Sequence, residues 1–438
     1  MATVAAPRTP PGPPRPRNPV RRVLPAKRDR LAAMTALRDR YGPAVRFPVG
    51  PLWFYLFSDP DLVQEVLVGS AEDMALGRMH GAVGRITGDG LFSSTGDLHR
   101  RQRRIVQPAF HRSSIRTYVD HIDARTEAML DTWEHAGRVD IVRETTALAM
   151  HVVTDTILGG ERIEDSDAMY EWMGAGVEWL DSMLTPLGPA LAKLPNRRNR
   201  AFDRASDGLR STFERMIALR RAEGREGPDA LWALLSATDE DGAPLPDDLI
   251  RDELITMVLA GQETTAIALS WTLRLLADHP EAEERIAAEA RAATLDDGAL
   301  DALTWTRRCV EEGMRLYPPA WVVSRIAARD TTIGGWEVPK GVNVFASPWV
   351  THRDPELWPD PERFAPEQVS SRHKFAYFPF GGGARKCIGS TLAVWEATIA
   401  LALIARRVRL RPEGPPPPPV AQLTLRPGGP IWMSVASR

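Results

Sequence analysis

The chain has 438 residues, a formal net charge of −2, 43% apolar and 26% charged residues. This is the make-up of an ordinary water-soluble globular protein, and it excludes a nucleic-acid binder driven by bulk basicity. Its two cysteines exclude a disulfide framework and point to a reducing, cytoplasmic setting.

Residues 1–25 are rich in proline and arginine and contain no apolar run, so a mobile arm is expected there, not a signal peptide. No stretch anywhere is long and apolar enough to predict a membrane span. The segment AVRFPVGPLWFYLF (44–57) has β-branched and aromatic character broken at Gly50-Pro51, which predicts a hairpin. From Pro60 to about Thr132 the pattern is helical, except for the glycine-studded stretch 74–90, expected to be loop. Amphipathic helices are predicted through 140–230, interrupted at LTPLGPALAKLP (184–195). Residues 247–277 then form one long helix, opened by Asp247 and Asp248, ended by His279-Pro280, and apolar nearly all round, so it should cross the core. Further helices are expected at 281–293, 301–316 and 390–407, with a proline-rich meander at 354–367 and a linker and short hairpin at the end. No repeat or compositional break divides residues 26–438, which predicts one mainly α domain with a small β-sheet region.

The chemistry centres on FGGGARKCIG (380–389). Cys387 lies at the start of a predicted helix, where free backbone N–H groups and the helix dipole favour a thiolate, and Arg385 and Lys386 add positive charge. The glycines allow backbone, or a flat ligand, to come close to the sulfur. A phosphate-binding loop fails because Lys386 is followed by cysteine and not by Gly-Lys-Ser/Thr spacing. A structural cysteine, a nucleophile and a thiolate ligand to haem iron remain open from these residues alone.

The string Phe380, Gly383, Arg385, Cys387, Gly389 resembles the haem-binding loop of the cytochrome P-450 monooxygenases, and three further segments appear in that family's order. Glu312 and Arg315, followed by LYPP and PERF (361–364), resemble its Glu-Arg-Arg network, which implies Arg363 as third member and a structural duty. AGQETT (260–265) resembles its acid–alcohol pair on the central helix: Ala260 and Gly261 beside the haem, Gly261 leaving room for oxygen, Thr264 bonding back to the Ala260 carbonyl or turning to the ligand, and Glu263 relaying protons with its pKa raised by burial. HRRQR (99–103) resembles the helix that holds a haem propionate through His99 and Arg103, and Arg325 and Arg385 match further propionate ligands. The resemblance covers about residues 25–436 and implies the cytochrome P-450 fold, haem b ligated by Cys387, and insertion of one oxygen atom from O2 into a C–H or C=C bond.

The same resemblance implies electrons from NAD(P)H through separate redox partners. A basic face of Arg100, Arg101, Arg104, Lys386, Arg406 and Arg407 would suit an acidic ferredoxin or flavodoxin. It also implies a monomer whose hydrophobic substrate is bounded by Met79, Val83, Ile86, Trp179, Met183, Trp321, Val322 and Leu425. A terpenoid or polyketide-like metabolite is the leading expectation, with a fatty-acid hydroxylase and a peroxygenase or non-oxidising haem-thiolate protein as alternatives.

Overall fold

A computed structural model describes residues 8–15, 29–160, 166–183, 188–238, 242–293, 299–371 and 373–438. In its first third, α1 (Arg30–Tyr41) leads into the hairpin β1 (Ala44–Val49) and β2 (Leu52–Phe57), then β3 (Met74–Leu76), α2 (Arg78–Thr87), α3 (Gly96–Val106), α4 (Val119–Ala136) and β4 (Arg138–Asp140). The middle is helical: α5 (Ile141–Ile157), α6 (Ser166–Met183), α7 (Arg197–Glu223), α8 (Asp247–Ala277), α9 (Pro280–Ala292) and α10 (Thr304–Leu316). Four short strands follow, β5 (Val323–Ala327), β6 (Thr331–Ile333), β7 (Trp336–Val338) and β8 (Asn343–Ala346). After the meander come α11 (Ser390–Arg407), β9 (Val408–Pro412), β10 (Pro419–Ala421), β11 (Leu425–Pro427) and β12 (Trp432–Ser437).

The 31-residue α8 is the axis of the fold. At 1.5 Å per residue it spans about 46 Å, the width of a domain. Its C-terminal half packs Ala268, Leu269, Leu273 and Leu276 against Trp395, Ile399, Ala400 and Leu403 of α11 in one apolar cluster. Its N-terminal half packs Leu254, Ile255 and Val258 against α5, α6 and α7 in a second. These faces meet because both helices are apolar on most sides, which is stable only in a core. The main sheet, in the order β1-β2-β8-β5-β3, stands at one edge, with β2 and β8 parallel. β4, β12 and β9 form a second sheet and β10 pairs with β11.

Two expectations need correction. The stretch 74–90 is mostly helix, not loop: α2 buries Ala82, Val83 and Ile86, a spacing that anchors one face to the core and outweighs the glycine cost of roughly 1 kcal/mol each. The helix stops at Gly88, whose φ of +54° suits glycine and where a Cβ would collide with Asp252. In the arm expected to be mobile, the described residues 8–15 are instead tied down. Arg8 bridges to Trp336, the Pro11 carbonyl accepts the Arg46 N–H at 2.9 Å, and Arg15 lies 4.8 Å above the Trp53 ring.

Candidate active site

Cys387 lies between the end of a turn and the N-cap of α11. Gly381 and Gly383 both have φ of +67°, which an L side chain resists, and a Cβ on Gly383 would strike the Leu67 carbonyl. The loop closes on itself through Gly381 N–H to Phe378 O (2.9 Å) and Cys387 N–H to Phe380 O (3.0 Å). Cys387 is exposed although protein atoms crowd round its sulfur.

The expected thiolate needs more than this loop supplies. Burial pushes the Cys387 thiol up, against smaller lowering effects from the Gly389 N–H, Arg103 and Lys386. The protein alone therefore leaves a thiol, and a cation on the sulfur is needed to hold the thiolate.

Beside the thiol, three separate elements bring basic side chains together. His99 and Arg103 come from α3, Arg325 from β5, and Arg385 from the cysteine loop; their mutual repulsion is felt at His99, Arg325 and Arg385. Arg325 is 7% exposed, and burial, then Arg385, pulls its pKa down to about 10. Burial, followed by Arg385 and Arg103, holds His99 down at about 4. Among the described residues, Arg325 donates to the Ser324 carbonyl at 2.9 Å, and Arg385 to the carbonyls of Leu91 (3.3 Å) and Ser94 (2.6 Å). No carboxylate of a described residue pairs with Arg103, Arg325 or Arg385. A guanidinium as deep as that of Arg325, with no carboxylate of a described residue beside it, is costly, so the cluster fits a ligand bearing carboxylates, as haem b does. His80 of α2 joins the cluster, held at about 4 by burial and by Arg325, its ring stacked 4.6 Å from Phe92. Nothing in the sequence marks it, because only the fold brings α2 beside β5.

On α8, Ala260 is exposed and Gly261, Glu263 and Thr264 are partly exposed within a helix otherwise nearly buried, so its middle borders space. The Thr264 hydroxyl donates to the Ala260 carbonyl at 2.7 Å, as expected. A Cβ on Gly261 would lie 2.6 Å from Val153 Cγ2, so the glycine lets α5 approach α8. Glu263 is not a lone buried acid: it pairs with Arg426 and accepts from Thr424 Oγ1 at 3.0 Å, both from the C-terminal β region. It borders a cavity of about 230 Å³ whose walls include Thr146, Met173, Gln262, Ser270 and Arg426. Neither Thr264 nor Cys387 borders this cavity, which lies about a third of a turn around α8 from Thr264.

None of the eight expected pocket residues borders that cavity. Met79, Val83, Ile86, Trp179 and Met183 pack in the α6–α7 apolar cluster, and Trp321, Val322 and Leu425 in another beneath the main sheet. Trp179 is core outright, with its ring 4.2 Å from Phe202 and its N–H donating to Asn199 at 3.0 Å. Trp321 likewise donates to the Gln422 carbonyl at 2.9 Å.

The Glu312–Arg315 pair is fully buried and bidentate, with both contacts at 2.8 Å. Arg315 also donates to the carbonyls of His352 (2.8 Å), Pro361 (2.7 Å) and Arg363 (2.9 Å), and Glu312 accepts the Ala365 N–H at 2.9 Å. Arg363 is therefore a member through its backbone only: its side chain is 55% exposed and faces Asp360 and Glu367. The basic face also shrinks. Arg406 and Arg407 pair with Glu127, Asp131 and Glu134, and Arg100 with Asp97. Arg101, Arg104 and Lys386 remain without a carboxylate partner among the described residues.

The family model described as Cytochrome P450 matches residues 10–433. The cyclooctat-9-en-7-ol 5-monooxygenase of Streptomyces melanosporofaciens is 36% identical over 388 residues, which cover 85% of this chain and 83% of that protein. The pentalenene oxygenase of Streptomyces avermitilis is 32% identical over 390 residues, 85% of each chain. Among solved structures, the haem domain of cytochrome P450DA superposes with a TM-score of 0.87 at 25% identity, covering 99% of this chain and 98% of that one.

Proposed function

The chain belongs to the cytochrome P450 family of haem-dependent oxidoreductases, and we propose that it inserts one oxygen atom of O2 into a hydrophobic terpenoid. The observation that carries this reading is the convergence of Arg103, Arg325 and Arg385, none paired with a carboxylate of a described residue, beside the accessible Cys387. Cys387 is the iron ligand. Arg325, Arg385, His99 and Arg103, joined by His80, hold the carboxylates of haem b. When bound, haem supplies the activation of dioxygen, promoted by electron density from the thiolate.

The protein supplies protons, position and exclusion of water. Thr264 Oγ1 can leave the Ala260 carbonyl and donate a hydrogen bond to a ligand on its own side of α8. Glu263 relays protons at its carboxylate between the cavity, which has room for several waters, and that side. Arg426 and Thr424 fix its orientation. Electrons from NAD(P)H reach the site through a separate acidic ferredoxin or flavodoxin steered by Arg101, Arg104 and Lys386.

The substrates named for the two relatives, cyclooctat-9-en-7-ol and pentalenene, favour a terpenoid over a fatty acid. Haem spin-state shifts against cyclic terpenoids and fatty acids, followed by turnover with reductase, ferredoxin and NADPH, test this. A terpenoid product one oxygen heavier is expected. Shifts with fatty acids alone would make the chain a fatty-acid hydroxylase, and turnover only with added hydrogen peroxide would make it a peroxygenase.

A further inference from the structure

Arg363 leaves the expected third place in the Glu312–Arg315 network open, and the geometry points to His352 as its occupant. We infer that His352, through a neutral ring bonded on both nitrogens, ties that network to the loop bearing Cys387 and is a positioning residue for the thiol; this rests on the reading of Cys387 as iron ligand.

His352 is fully buried. Its carbonyl accepts from Arg315 Nη1 at 2.8 Å, its Nδ1 lies 3.3 Å from the Arg315 carbonyl, and its Nε2 lies 3.0 Å from the Phe378 backbone nitrogen. A backbone N–H can only donate, so Nε2 must carry the lone pair. The ring proton is then on Nδ1, facing a carbonyl that can only accept. One tautomer satisfies both contacts, and the charged form satisfies only one. Phe378 opens the turn that ends at the thiol, through Phe378 O to Gly381 N–H and Phe380 O to Cys387 N–H. The hydrogen-bonded path therefore runs from Arg315 through the imidazole into the cysteine loop.

The surroundings keep the ring neutral. Arg315 faces it from α10 and Arg353 adjoins it in the chain, and neither favours a second positive charge. Glu312 is engaged by Arg315 and Ala365, and Glu362 by Arg353. The remaining neighbours are aromatic: Tyr377 stacks at 5.3 Å with its hydroxyl donating to the Glu311 carbonyl, and Trp358 and Phe378 meet the ring edge-on. Burial, then Arg315, holds His352 well below the ordinary 6.5. Because the folded ring refuses a proton that the unfolded chain accepts, this anchor loses stability as pH falls below about 6.5. A forced proton on Nε2 would set two N–H donors against each other at Phe378.

The test compares haem-loaded wild type, His352→Gln and His352→Phe from pH 5 to 8. Amide exchange of the peptide 378–387 is read by mass spectrometry, and the ferrous carbon monoxide absorption band is read in parallel. Phenylalanine keeps the ring but orphans the Phe378 N–H, so about tenfold faster exchange there and partial loss of the thiolate-type band are expected. Glutamine offers a non-titrating acceptor, so it should restore both at pH 7.5 and remove the acid sensitivity of the wild type. If phenylalanine leaves exchange and band unchanged, or glutamine retains the full acid sensitivity, the inference is overturned. Should His352→Phe fail to fold, the glutamine pH profile decides alone. A wild type with no thiolate-type band would instead overturn the reading of Cys387, while the exchange comparison would still decide the role of His352.

Discussion

Replacing Arg315 by alanine removes five hydrogen bonds at once, two to Glu312 and three to the carbonyls of His352, Pro361 and Arg363. It also leaves the Glu312 carboxylate buried with, among the described residues, only the Ala365 N–H against it. Breaking a buried pair in this way costs about 3–5 kcal/mol, because an uncompensated charge stays in the core. That is a third or more of the roughly 5–15 kcal/mol that typically holds a domain folded. Lysine at 315 would recover little, since one ammonium cannot span a carboxylate and three carbonyls. Arg363→Ala, by contrast, removes an exposed side chain and keeps the carbonyl that Arg315 uses, so about 0.5 kcal/mol or less is expected. Urea unfolding of both variants, followed by far-ultraviolet circular dichroism, measures the difference. Equal destabilisation by the two alanines would mean that the Arg363 guanidinium does belong to the network and that the reasoning from its exposure is wrong.

Thr264→Ala should keep haem and substrate binding but divert NADPH to hydrogen peroxide; full coupling of NADPH to product would reject the assigned hydroxyl. Ferredoxin-supported turnover should fall as salt rises, and Arg104→Glu should slow reduction while Arg407→Ala, whose guanidinium is already matched by three acids, has little effect. Equal effects would place the docking face elsewhere. Burial pushes Glu253 up to about 8, with one oxygen on the Leu91 N–H and the other without a partner among the described residues. A raised carboxylate stabilises fully below its unfolded value of 4.5 and loses that contribution as pH rises to about 8. Glu253→Gln should therefore gain on wild type over that window by up to about 1.4 kcal/mol per pH unit, and parallel urea midpoints at pH 5, 7 and 9 would contradict this.

The helix 247–277 and the helix 390–407 were legible to the residue, because the apolar runs, the acidic first turn and following His279-Pro280 of the one and the closing arginines of the other are local signals. The hairpin at 44–57 was legible for the same reason. What escaped depends on distant partners. The helix at 78–87 is held by α6, which its glycine content does not announce. Arg363 and Arg315 look alike in sequence, yet one side chain faces solvent and the other is sealed in the core. The Glu263–Arg426 pair spans more than 150 positions, and the acids on α4 that neutralise Arg406 and Arg407 lie further away still.

The central claim is that Cys387 is the iron ligand, and the ferrous carbon monoxide spectrum of two cysteine variants tests it most directly. Cys309 is fully buried in the core of α10, where burial pushes its thiol up and leaves it inert. Cys309→Ser should keep the strongly red-shifted Soret band of a thiolate-ligated haem, and Cys387→Ser should lose it. Persistence of that band in Cys387→Ser would contradict the account.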